Sequence, residues 1–161
     1  MQATDHASSI NFLQNQLQEV VTILEKQHLE QSLLERGPST SYELIESVLH
    51  KQHQNRLLEK FSDLHPADIA FILESLPLDQ RKVVWDAIKS SQDGQVLLEV
   101  SDAVRQTLIS GMETEDLASV AGKLHSDEIA DIAADLPKRA MLKILRSLNS
   151  EDRRHLNTAM S

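Results

Sequence analysis

At 161 residues and 40 % hydrophobic content, the chain is long and apolar enough for a folded core, which excludes a disordered polymer. It has no cysteine, so disulfide frameworks and thiolate metal sites are excluded. A formal net charge of −9 argues against a nucleic-acid surface, where Lys and Arg must neutralise phosphates, and favours cations or a basic partner.

The first predicted element is an amphipathic helix from Ser9 to Arg36. Ile10, Leu13, Leu17, Val20 or Val21, and Leu24 recur at helical spacing, and Gly37-Pro38-Ser39 ends the run. A second helix is expected from about Ser41 to about Ser62, with Leu44, Ile45, Val48, Leu49, Leu57, Leu58 and Phe61 on its apolar side. Its middle, His50 to Arg56, is wholly polar, and a bend or frayed turn is expected there.

From Leu64 a twelve-residue beat takes over. Leu64, Leu76, Ile88, Val100, Met112, Leu124, Leu136, Leu148 and Met160 are all apolar. The position four residues earlier is apolar from Ile72 to Leu156, with Lys60 the exception. The position just after reads His65, Pro77, Lys89, Ser101, Glu113, His125, Pro137, Asn149 and Ser161, never an aliphatic. Short helices separated by turns near 65–67, 77–79, 89–91, 101–103, 113–115, 125–127, 137–139 and 149–151 follow. Each helix is too short to stand alone in water, so neighbours must hold it. Ser90, Thr114, Ser126 and Ser150 are the hydroxyls expected at the helix starts, with acids following them to complement the positive helix end.

The fold class is therefore all-α. The expectation is a right-handed, armadillo-like superhelix of short helices, about 12 residues per unit, preceded by one or two longer helices. The expected division is an N-terminal helix over 1–37 and a superhelical domain over 38–161. Ile72, Val84, Leu108, Val120, Leu124, Ile132, Leu136 and Ile144 are expected in the core, with Trp85, Met112 and Met160.

The unit beginning near Ser126 carries the most informative side chains. Ile129, Ile132, Ala133 and Leu136 make a core-facing stripe. Asp127, Asp131 and Asp135 fall at i, i+4 and i+8, with Glu128 beside the first. Like charges at that spacing oppose a helix by about 0.2–0.5 kcal/mol per pair. Either these four are a solvated acidic face, or they are a carboxylate row for a hard divalent cation such as Mg²⁺. His50 and His53 are three residues apart but lack further metal ligands nearby, and His65 and His125 sit where a turn or cap belongs. No Gly-rich phosphate loop or nucleophile motif is present, so an enzyme is not expected. No run approaches the ~18 apolar residues of a membrane span, and the amino terminus lacks signal-peptide layout; a cytoplasmic segment outside the membrane is expected.

Residues 64–77, L-H-P-A-D-I-A-F-I-L-E-S-L-P, and their echo at 124–137, L-H-S-D-E-I-A-D-I-A-A-D-L-P, resemble the cytosolic N domain of MgtE-type magnesium channels over about residues 57–161. The resemblance implies a superhelix followed, in the parent protein, by paired CBS domains, a plug helix and a membrane pore. It implies Mg²⁺ held between acidic faces of the N and CBS domains, which locks the pore shut. The family's acids align with Asp127 and Asp131, with Glu128 adjacent. Another acidic position of the family aligns near Gln95, a departure that Asp93 or Glu99 could compensate. The implied role is a Mg²⁺-sensing gating domain on the cytoplasmic side of the inner membrane, with weak Mg²⁺ binding to the isolated piece. A FliG-like or generic helical interaction scaffold is the alternative reading.

Overall fold

The computed structural model describes residues 2–37, 42–88 and 92–161, with side chains in the first stretch described from residue 9. Among the described residues the chain is all-α, without a strand. It packs as two compact units, 1–91 and 92–161.

The first unit opens with α1 (Gln2–Glu35) and α2 (Tyr42–Ser62). These are followed by α3 (Pro66–Ser75) and α4 (Leu78–Ile88). α1 and α2 pair as a hairpin, and α4 packs on α2 while α3 packs on α1. Val20 and Leu24 of the expected α1 stripe are buried, and Leu57 and Phe61 anchor α2. The polar middle of α2 neither bends nor frays, because it is tied across the hairpin. Gln27 Nε2 donates to the His53 carbonyl at 3.2 Å, and His53 Nε2 lies 2.9 Å from Glu30 Oε2. Lys60 pairs with Glu19 farther along. The expected apolar side of α2 is only partly covered: Leu44, Ile45 and Val48 are exposed.

The second unit holds α5 (Asp93–Glu99), α6 (Asp102–Ser110), α7 (Thr114–Ala121) and α8 (Ser126–Ile132). A 3-10 turn (Ala133–Asp135), α9 (Lys138–Ser147) and α10 (Ser150–Met160) complete it. Alternate helices stack: α5 on α7, α7 on α9, α8 on α10, and α6 on the 3-10 turn. That is the wound arrangement of short helices the beat requires, since each helix buries its stripe against the neighbour two steps away. Gly94 serves this contact. A Cβ there would lie 3.0 Å from Leu124 Cδ2, so the absent side chain lets α5 approach Leu124.

The beat is realised residue by residue. His65, Ser101, Glu113, His125, Pro137 and Asn149 are extended and stand directly before a helix. Of the eight expected core residues, Ile72, Val84, Leu108, Val120, Leu124, Ile132 and Ile144 are buried. Leu136 is only half-buried, because the 3-10 turn before it winds differently from an α-helix. Trp85 is buried; Met112 is half-buried and Met160 is 49 % exposed.

The caps differ in identity from the expected hydroxyls. Thr114, Ser126 and Ser150 are first residues inside their helices, and the capping positions are Glu113, His125 and Asn149. Asn149 Oδ1 accepts from the Asp152 N–H at 2.7 Å, and His65 Nδ1 accepts from the Ala67 N–H at 3.3 Å. Ser101 is the hydroxyl that does cap, accepting from the Val104 N–H. Ser126 Oγ instead donates to the Asp152 carbonyl on α10. The turn at 89–91 with the Ser90 cap, and Pro38-Ser39, lie outside the described residues.

A device that the periodicity analysis missed closes several helix ends. Arg81, Arg105 and Arg153 each occupy the fourth position of their helix and reach back to the carbonyls ending the previous one. Arg81 Nε donates to Leu73 O at 2.8 Å, Arg105 Nε to Leu97 O at 2.7 Å, and Arg153 Nε to Leu145 O at 3.0 Å. In each case Nη2 also bonds the carbonyl five residues back, that of Leu76, Val100 or Leu148. A helix leaves its last carbonyls without backbone partners, and a cation is the favourable donor at that negative end. The signal was present in the sequence as arginines in phase with the beat.

Candidate functional site

α8 is short, and its orientation is set by the apolar residues beneath it. Ile129 and Ile132 are fully buried. The start is held by His125, whose N–H donates to Glu128 Oε1 at 2.9 Å, so Glu128 closes the first turn on itself. With that face pinned, Asp127 and Asp131 stand one turn apart and exposed, while Glu128 is half-buried.

Asp135 departs from this pair. The α-helix ends at Ile132, and the following 3-10 turn takes Asp135 out of the i, i+4 register. Its carboxylate lies 3.5 Å from Arg105 Nη1 and accepts from Gln106 Nε2 at 3.1 Å. Arg105 is 8 % exposed and bonds Asp102 Oδ1 at 2.8 Å as well as the α5 carbonyls. Asp135 thus balances a buried guanidinium, which requires a counter-charge.

The residues expected to offset the neutral Gln95 also separate. Asp93 is buried, accepts from the Gly94 N–H at 2.8 Å, and pairs with Lys123 at 3.2 Å. Gln95 and Glu99 are exposed on the same helix.

Beside α8 a cavity of about 630 Å³ is lined by Asp127 and His125 on one side and by Asp152 and His155 of α10 on the other. Among the described residues no group of three His, Asp or Glu is placed to hold a metal ion. Exposed carboxylates such as Asp127 and Asp131 suit a hydrated hard cation, which often takes one or two carboxylates and keeps its waters. His53 is engaged by Glu30, whose carboxyl is held below its ordinary value chiefly by the hydrogen bond from His53, and His50 is exposed. Glu115 is lowered too, by its own backbone hydrogen bond and then by Lys143 at 3.1 Å.

Among the described residues no helix is long and apolar enough to cross a membrane. The family model of the MgtE intracellular N domain matches residues 64–161. No curated protein matches the chain.

Proposed function

Since the chain belongs to the MgtE intracellular N-domain family of magnesium transporters, we propose that it is a Mg²⁺-sensing gating domain rather than a catalyst. In this reading Asp127 and Asp131, with Glu128 beside them, hold hydrated Mg²⁺ against an acidic face of CBS domains on the cytoplasmic side of the transporter's pore. The observation that carries it is the exposed Asp127–Asp131 pair on a helix whose opposite face is fully buried. Two like charges at i, i+4 cost helix stability, and at Asp131 neither the helix dipole nor, among the described residues, a basic partner offsets that cost. A shared divalent cation would.

The mechanism is a population shift. The ion binds the closed arrangement more tightly, because only there do two acidic faces converge on it, and closure follows from that differential affinity. When Mg²⁺ falls, the carboxylates repel the facing domain and the open state gains weight. Alone, one face is a poorly organised site, so Mg²⁺ binding to the isolated chain should be weak. Asp135 acts through Arg105, fixing the turn that ends α8. Single-channel recording of the whole transporter against cytosolic Mg²⁺ tests the reading. Asp127→Ala/Asp131→Ala should stay conductive at Mg²⁺ concentrations that close the wild type. An unchanged curve would reduce these carboxylates to a solvated face.

A further inference from the structure

The acidic face of α8 lies in the second unit, and the first unit carries a groove of its own. A groove of about 730 Å³ runs between α1, α2 and α4. Leu24, Leu29 and Val83 give it an apolar lining, and Leu29 and Val83 are 60 % and 47 % exposed. Its formally charged lining residues are Glu25, Asp79 and Asp86, and none is Lys or Arg. The rest of the lining is mainly amide, hydroxyl and imidazole. The groove therefore combines exposed aliphatic surface with formal negative charge.

We propose that this groove receives a cationic amphipathic helix of a partner protein, its aliphatic residues against Leu24, Leu29 and Val83 and its Lys or Arg side chains on Glu25, Asp79 and Asp86. The chemistry selects that occupant. Exposed aliphatics in a concave site favour an apolar stripe at i, i+3, i+4 and i+7, the usual helix-in-groove mode. Three carboxylates with no Lys or Arg among the described lining residues favour a basic helix, and disfavour both an acidic one and a second copy of this acidic chain. The volume is in the range of a formed binding site, about 300–1,000 Å³. α1 and α2 precede the matched residues 64–161 while α4 lies within them, and neither Asp127 nor Asp131 lines the groove.

The test uses the whole chain and two synthetic helical peptides with leucine at those spacings, one filled out with lysine and one with glutamate. Calorimetry should show binding of the leucine–lysine peptide that weakens with added salt, and none of the leucine–glutamate peptide. Asp79→Asn/Asp86→Asn should weaken it about tenfold. Val83→Lys, an exposed position, should abolish binding without altering helicity. Asp127→Asn/Asp131→Asn should leave it within about twofold, since neither residue lines the groove. Equal binding of both peptides, equal weakening by the Asp127/Asp131 variant, or no binding of the lysine peptide would overturn the proposal. So would a dimer by light scattering that Val83→Lys dissociates, because the occupant would then be a second copy.

Discussion

Arg105→Met removes the guanidinium and keeps most of the aliphatic stem, so it isolates the polar contacts. In the wild type, Arg105 donates to the carbonyls of Leu97 at 2.7 Å, Leu98 at 3.3 Å and Val100 at 3.1 Å. It also pairs with Asp102 at 2.8 Å and with Asp135 at 3.5 Å. Asp102 is exposed and water replaces its partner, so it adds little. The carbonyl bonds are to a charged donor, worth about 1.5–3 kcal/mol each when made singly, and they are not additive. Asp135, with its side chain 10 % exposed, is left as a charge without its cation, and breaking a buried pair costs about 3–5 kcal/mol. The expected loss is therefore about 3–5 kcal/mol, a large share of a typical stability of about 5–15 kcal/mol. Arg153→Met is the matched control. Arg153 makes two of the three corresponding carbonyl bonds from an exposed position, with no ion-pair partner among the described residues, and should cost about 1 kcal/mol. Urea denaturation followed by circular dichroism measures both. Asp135→Leu added to Arg105→Met should return part of the loss, since no bare charge remains. If Arg105→Met costs no more than Arg153→Met, the buried counter-charge argument is wrong.

Ile144→Ala, at a fully buried beat position, should cost about 2–5 kcal/mol in urea denaturation, while Met160→Ala should cost under about 1 kcal/mol despite sharing the beat. Glu30 has its carboxyl lowered by His53, so its contribution is present above the ordinary carboxylate range and is lost as pH falls through the lowered value. Glu30→Gln should accordingly flatten the acid limb of a urea-midpoint-versus-pH curve below about pH 4.5 and change its slope little between neutral pH and that point. Trp85 Nε1 is buried without a hydrogen-bond partner among the described residues, so Trp85→Phe removes an unmet donor along with some volume. Its cost should stay well below the roughly 3–5 kcal/mol of a large aromatic truncated to Ala, and calorimetric melting of both variants compares them directly.

Two kinds of information are separable in this chain. The positions of the described turns and of Ile72, Val84, Leu108, Val120, Ile132 and Ile144 in the core were legible from the twelve-residue beat. A short helix has one way to bury a stripe, and the chain must turn before the next. That is local geometry, and the order of residues along the chain determines it. The phrase around Leu64–Pro77 placed the family on similar terms. Which polar groups meet was not legible. Asp135 shares spacing with Asp127 and Asp131, yet it turns to Arg105, 30 residues earlier, while the other two stay exposed. Asp93, expected to offset Gln95, is held by Lys123 just past α7. Leu44, Ile45 and Val48 were expected on the apolar side of α2 and face solvent, because among the described residues no helix covers that part of it. Met160 keeps the beat and is nonetheless exposed. In each case the partner is supplied, or withheld, by an element distant in sequence. A residue's own spacing carries its direction on a helix, but the charge or surface it meets there exists only once the helices have stacked.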